Sequence, residues 1–260
     1  MKAKKSLGQN FLTSQSVVDK IITTAFFDSK DIILEIGTGK GILTKNLLEK
    51  SRKVISVEKD DKLIPFLKEK FRDEIKNGKL ILVHGDILTF NFRLYELSDF
   101  KIVANIPYYI TGEFLRKMLS SDIQPNSMVL LLQKEVAERI ARSKKESILS
   151  ISVKVYGEPK YIQTVKKGSF SPAPKVDSAI LSIENISKKF FDEVNEEHFF
   201  KIMKLGFAHK RKLLISNLSA LAGKEKLKKA FIEIGINEKA RAEDLSISQW
   251  KKLLRKLNEN

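Results

Sequence analysis

The chain of 260 residues has no cysteine, which excludes disulfides, a thiolate zinc site and a cysteine nucleophile. Histidine is nearly absent too. His84, His198 and His209 are too scattered for metal-ligand spacing, so no metal is expected. Glycine and proline are few, 12 and 6, while 42% of the residues are apolar, which excludes collagen-like and disordered chains and leaves material for one large core or two modest ones. Long hydrophobic runs are missing: the longest aliphatic and methionine run, Met128 to Leu132, falls far short of the roughly 20 residues needed to cross a bilayer. Met1-Lys2-Ala3-Lys4-Lys5 has the charge of a signal peptide, but no apolar stretch follows it. A soluble cytoplasmic protein with no membrane partner is expected.

What the chain has in excess is positive charge, 48 Lys or Arg against 32 Asp or Glu, a formal +16. Such an excess repels itself. Its usual justification is a polyanion, because each cation that meets a phosphate releases condensed counterions. Nucleic acid is the leading partner; a well-solvated lysine-rich surface is the plainer alternative.

From about residue 30 to 185, β-branched runs alternate with helical patterns, as in an α/β domain with a largely parallel sheet. Candidate strands are Ile32 to Ile36, Val54 to Glu58, Leu80 to His84, Lys101 to Ala104, Met128 to Gln133, Ser152 to Tyr156 and Ser178 to Glu184. Ile42 to Lys50, Lys62 to Phe71, Glu113 to Leu119 and Lys134 to Ala141 have the spacing of amphipathic helices. After Asn185 only helical periodicity remains, so a small all-helical second domain is expected over 186–260. It carries 17 Lys or Arg against 10 acids, net +7, leaving +9 on the first 185 residues.

After the first candidate strand comes Glu35-Ile36-Gly37-Thr38-Gly39-Lys40-Gly41, leading into a helix. Glycines there let a ligand approach the backbone and expose unsatisfied amides. The second strand ends in Glu58, placed to accept hydrogen bonds from a ribose diol, and the third in His84-Gly85-Asp86, whose acid could meet an adenine amino group. A dinucleotide and S-adenosylmethionine compete for this arrangement. Ile42 stands where the dinucleotide pattern needs a small residue, so the sulfonium cofactor fits better. A purely structural tight turn is the alternative.

The fourth strand stops at Asn105-Ile106-Pro107-Tyr108. The exocyclic amine of adenine is a poor nucleophile because its lone pair is delocalised into the ring. The Asn105 side-chain oxygen and a main-chain carbonyl beside Pro107 could bind its two N–H groups and aim the lone pair at a methyl group. Tyr108 would stack on the extruded base. A strand ended by proline, with Tyr108 as core filler, is the competing reading.

Together these residues resemble the ribosomal RNA small-subunit adenine N6,N6-dimethyltransferases of the KsgA type. The resemblance extends over nearly the whole chain, through Lys5-Ser6-Leu7-Gly8-Gln9-Asn10-Phe11-Leu12, Glu35 to Gly39, Glu58, Asp86, Asn105 to Tyr108, Gln133-Lys134-Glu135-Val136, Phe170 to Ala179, Lys210-Arg211-Lys212 and Arg241 to Ser246. It implies a Rossmann-like S-adenosylmethionine-dependent methyltransferase sheet over 1–185, with an antiparallel final strand, and a helical RNA- or ribosome-binding domain over 186–260. Gln9, Asn10, Leu12, Gly37, Gly39, Glu58, Asp86, Ile87 and Asn105 would bind the cofactor. Asn105, Pro107, Tyr108 and Phe170 would form the catalytic set, the two rings sandwiching the target adenine. Lys4, Lys5, Lys210, Arg211 and Lys212 would contact RNA, the last three opening a helix.

The reaction implied is dimethylation of two adjacent adenines in a hairpin near the 3′ end of 16S rRNA, on a pre-small-subunit particle, with a role in its biogenesis; a monomer is expected. Ile106, Tyr109 and Lys210 depart from the commonest bacterial pattern, where Leu, Asn and Arg are frequent. Two alternatives stay open: a large-subunit rRNA adenine methyltransferase conferring antibiotic resistance, and a non-catalytic RNA-binding assembly or transcription factor.

Overall fold

A computed structural model describes residues 3–4, 7–95 and 97–258. The chain divides into two units, one comprising the residues up to Glu138 with Gly157–Ile186, the other Arg139–Tyr156 with the residues from Ser187 on. A break thus falls next to Asn185, but residues 139–156 also belong with the second unit, which periodicity alone does not reveal.

In chain order the elements are β1 (Phe11–Leu12), α1 (Gln15–Ala25), β2 (Ile32–Ile36), α2 (Ile42–Lys50), β3 (Lys53–Glu58), α3 (Ile64–Lys70), α4 (Arg72–Lys76), β4 (Leu80–His84), β5 (Phe100–Asn105), α5 (Thr111–Ser120), β6 (Ser127–Gln133), α6 (Lys134–Ala141), α7 (Ile148–Lys154), β7 (Glu158–Val165), β8 (Phe170–Ser171) and β9 (Ser178–Glu184). Seven strands form one sheet in the order β4-β3-β2-β5-β6-β9-β7. From β4 to β6 all pairs are parallel, and β9 runs antiparallel to both β6 and β7. The apolar runs of β2, β3 and β5 are buried on both faces, as the centre of a parallel sheet requires.

The chain starts the large sheet in its middle. It moves outward from β2 to β3 and β4, then returns to place β5 on the other side of β2. Loops leaving β2 and β5 therefore diverge, which opens a crevice at the carboxyl ends of these strands. Register brings the chemistry there: Ile36 lies opposite Val57 and Ala104, and Glu58 opposite His84. Gly37, Glu58, Asp86 and Asn105 consequently leave the sheet at one edge.

Three local differences from the sequence reading have physical causes. Ser152 to Tyr156 alternates like a strand but lies in α7 and the turn after it, because Ser147 and Ser150 form a reciprocal capping box that starts a helix. The strand that takes its place, β7, is polar, contains Pro159 and carries an irregularity between Tyr161 and Gln163, all marks of a sheet edge. The helical stretch Lys62 to Phe71 is broken at Phe71 into α3 and α4, its ring lying against Gly41. Outside the sequence reading altogether is α1, which buries Val17, Val18, Ile21, Ile22 and Ala25 along one stripe.

The second unit adds α8 (Glu196–Gly206), α9 (Leu214–Ala222), α10 (Lys224–Ile234) and α11 (Ile247–Asn258) to α7. Phe199, Leu214, Leu218, Phe231, Trp250 and Leu253 fill its core. Gly206 lets Trp250 in: a Cβ there would lie 2.6 Å from the indole, which stacks on Phe207 at 5.9 Å. No helix of the described residues is long and apolar enough to cross a membrane.

Candidate active site

A cavity at the carboxyl edge of β2, β3, β4 and β5 is lined by the glycine turn, by the ends of those strands and by residues 7–11 of the N-terminal segment. Gly37 and Gly39 have φ of +75° and +58°, a left-handed region in which a Cβ is strained, and a Cβ on Gly39 would come within 3.3 Å of the Phe11 ring. Their amides are partly used. Gly37 N donates to Val57 O at 2.9 Å, and Gly39 N to Glu58 Oε2 at 2.9 Å. Gly41 (φ +73°) does not line the cavity; a Cβ there would meet Phe71 at 2.5 Å, so this glycine serves packing.

Glu58 is buried, and burial holds its pKa above the usual carboxylate range against the pull of main-chain hydrogen bonds. Its Oε1 accepts Asp60 N at 2.8 Å and its Oε2 accepts Gly39 N. Since each carboxylate oxygen has two acceptor positions, both atoms keep one for a pair of vicinal hydroxyls. Asp86 accepts Leu88 N at 2.9 Å on one oxygen and Lys59 Nζ at 2.7 Å on the other. Burial opposes its ionisation, but these bonds outweigh that and hold its pKa below the ordinary value. Lys117 ties the loop behind it, donating to the carbonyls of Ile87, Leu88 and Phe90.

Beneath the turn lies a fully buried network that the sequence reading did not assign. Glu35 accepts from Ser56 Oγ at 2.6 Å and from Thr44 Oγ1 at 2.8 Å, and Ser56 also meets Thr38 at 2.6 Å. Burial pushes the Glu35 pKa up to about 8 even though both hydroxyls favour its charge, so it is mostly protonated at neutral pH. A lone acid inside the apolar strand Ile-Ile-Leu-Glu-Ile was the available signal.

At the end of β5, Asn105 Nδ2 donates to Asn10 O at 3.2 Å. Only the amide nitrogen can donate to a carbonyl, so this bond fixes the orientation of the group and leaves Oδ1 as its acceptor atom. Pro107 O accepts Ile110 N at 3.2 Å, closing a 3-10 turn over Tyr108–Ile110. The Tyr108 hydroxyl meets Ser178 Oγ at 2.7 Å, which fixes its ring at the cavity wall. Tyr109 also lines the cavity; it is 58% exposed, with its ring near Gly8.

The cavity brings together Gln9, Asn10, Gly37, Gly39, Glu58, Asp86, Ile87, Asn105, Pro107 and Tyr108 of the predicted set. It does not include Leu12 or Phe170. These pair across β1 and β8 and belong to the hydrophobic core, Phe170 being 5% exposed, because the short antiparallel pair turns both side chains inward. Lys4, expected on RNA, instead places its ammonium 2.6 Å from both Asp60 and Asp61. Lys5 lies outside the described residues. Lys210, Arg211 and Lys212 are exposed in the turn before α9, in the second unit, and precede the helix instead of opening it.

The residues present fit S-adenosylmethionine: a glycine turn that a Cβ would obstruct, a carboxylate with one acceptor position left on each oxygen, and an acid at the next strand end. Comparison with known proteins agrees. A family model described as ribosomal RNA adenine dimethylase matches residues 1–259. The ribosomal RNA small subunit methyltransferase A of Dehalococcoides mccartyi is 42% identical over 97% of this chain and 88% of its own length. That of Fusobacterium nucleatum is 39% identical over 98% and 97%. Among solved structures, a dimethyladenosine transferase from Plasmodium falciparum superposes with a TM-score of 0.79 at 27% identity, covering 96% of this chain and 98% of that one. The 23S rRNA methyltransferase ErmE gives 0.80 at 25%, covering 96% and 100%. With a match across essentially its whole length, the chain belongs to the ribosomal RNA adenine dimethylases, enzymes that depend on S-adenosylmethionine.

Proposed function

We propose that this enzyme methylates N6 of two adjacent adenines in a hairpin near the 3′ end of 16S rRNA, giving N6,N6-dimethyladenosines. It acts in the cytoplasm, as a monomer, on a pre-small-subunit particle, and takes part in the maturation of that particle. The observation that carries this reading is the Asn105 amide, oriented by Asn10 O in the same cavity as Glu58 and the glycine turn.

The cofactor, when bound, supplies a methyl group on a sulfonium, which needs no further activation. The chain's own residues hold and aim. Glu58 receives the ribose hydroxyls, Asp86 and Ile87 the adenine end, and Gln9, Asn10, Gly37 and Gly39 the remainder. Asn105 Oδ1 accepts one N–H of the target amine and a main-chain carbonyl beside Pro107 accepts the other, which localises the nitrogen lone pair. Tyr108 stacks on the extruded base. Phe170, in the core, backs the β1 segment and forms no stacking wall in this arrangement. No strong base is needed, because the amine becomes acidic only after alkylation. Lys210, Arg211 and Lys212 of the helical unit supply phosphate contacts.

The test is direct. Under-methylated small subunits incubated with radiolabelled S-adenosylmethionine should yield dimethyladenosine at two neighbouring positions, located by mass spectrometry of the hairpin; unlabelled 16S rRNA would sink the proposal. The likeness to ErmE keeps a second reading in view, methylation of one large-subunit adenine. The same assay run on 23S rRNA decides between them.

A further inference from the structure

The N-terminal segment contributes the cavity residues Leu7 to Phe11, yet only the last of these belongs to a strand. At its far end the segment is held by Asn105 through Asn10 O. At its near end it is held by Asp60, two residues beyond Glu58. Asp60 Oδ2 accepts Gln9 Nε2 at 2.7 Å, and Asp60 Oδ1 takes Lys4 Nζ at 2.6 Å and Lys62 N at 3.1 Å. Gln9 Oε1 in turn accepts Lys4 N at 2.6 Å, so Lys4, Gln9 and Asp60 close a ring of polar contacts. Asp60 N meanwhile donates to Glu58 Oε1. The same residue therefore grips the segment with its side chain and the ribose-facing carboxylate with its backbone.

Asp60 is only 3% exposed, whereas its neighbour Asp61 is exposed. A carboxylate so enclosed is costly unless its oxygens are satisfied, and two of its three donors, Lys4 and Gln9, come from the N-terminal segment. Lifting the segment would replace both with water and leave a single backbone amide from the protein. The pairing of Asp60 with Lys4 and Gln9 thus favours the segment in place over the cavity.

We infer that Asp60 is a positioning residue for cofactor binding: with Lys4 it fastens the N-terminal segment as a cover on the cavity and couples the placing of that cover to Glu58. The inference rests on the reading of this cavity as the S-adenosylmethionine site.

The experiment is titration calorimetry of the full-length protein with S-adenosylhomocysteine, alongside steady-state methylation of small subunits. Asp60→Asn should weaken binding and raise the cofactor KM by about tenfold or more, the scale of losing a charge-assisted bond, while kcat stays within about threefold. Lys4→Met should act in the same direction. The double variant should be no worse than Asp60→Asn alone, because both remove one interaction. Asp60→Glu should recover part of the affinity. A purely structural Asp60 would instead lower thermal stability and kcat without moving KM, and would give additive effects with Lys4→Met; either outcome overturns the inference. Glu58→Ala separates it from the reading beneath: if Glu58→Ala binds like wild type, the cavity assignment fails, whereas if Glu58→Ala is impaired and Asp60→Asn is not, only the cover fails.

Discussion

The strand-end cavity and the basic turn before α9 use charge in opposite ways. Around the cavity the ionisable groups are held by partners: Lys4 with Asp60, Lys59 with Asp86, Glu58 by two amides and Glu35, mostly protonated, by two hydroxyls. Before α9, Lys210, Arg211 and Lys212 are exposed, and no ion pair among the described residues involves them. Paired and buried charge sets positions; unpaired surface charge stays available to phosphate. A net charge of +16 counts both kinds alike, so the total overstates what is available for RNA.

The sharpest test of the contrast is Asn105→Ala. It should lower kcat by about a thousandfold, the scale of losing a preorganised acceptor, while RNA affinity changes little in a filter-binding assay. Gly41→Ala comes next. Left-handed strain and the clash with Phe71 should cost about 2–4 kcal/mol in denaturant melts, with cofactor affinity per folded molecule retained because Gly41 lies off the cavity. Replacing Lys210, Arg211 and Lys212 together by Ala should weaken RNA binding by roughly ten- to a hundredfold at moderate salt. It should also flatten the log–log salt dependence by about two to three units while leaving cofactor binding untouched. A fall in cofactor binding as well would show that the basic turn and the cavity do not act separately.

The smallest expected effect concerns pH. Glu35 has a folded pKa of about 8, raised above its ordinary value, so the native state holds a proton that the unfolded chain releases. The stability this contributes is complete below about pH 4.5 and declines as pH rises toward 8. Asp60 has the opposite sign. Its pKa is lowered to about 2, since the bonds to Lys4, Gln9 and Lys62 N overcome burial, and its contribution is lost only in strong acid. Glu35→Gln should accordingly flatten the fall in melting temperature between pH 5 and 8 relative to wild type.

What the sequence disclosed and what it concealed follow the range of the forces. Gly37, Glu58, Asp86 and Asn105 are legible because each sits one to three residues past a short apolar run, so strand ends and chemistry are read together. Asp60 was illegible because its meaning lies in partners about fifty residues away, and the acid looks like any other in Glu-Lys-Asp-Asp. The pairing of Lys4 with Asp60 is hidden for the same reason. Phe170 was assigned a stacking role from its motif, but its burial depends on the β1–β8 pairing, which two-residue strands do not announce. Ser152 to Tyr156 failed in a different way, a β-branched alternation overridden by a local serine cap.

The passage of residues 139–156 into the helical unit bears on how this protein can be dissected. The chain departs within α6, returns for β7 to β9 and departs again. Stopping it at Ile186 would strand that inserted stretch: Glu146 N would lose Glu243 O, Lys145 its two acids, and Tyr156 the carboxylate of Glu196. A minimal catalytic fragment would therefore have to lose both pieces together, the tail after Ile186 and the insertion between Glu138 and Gly157.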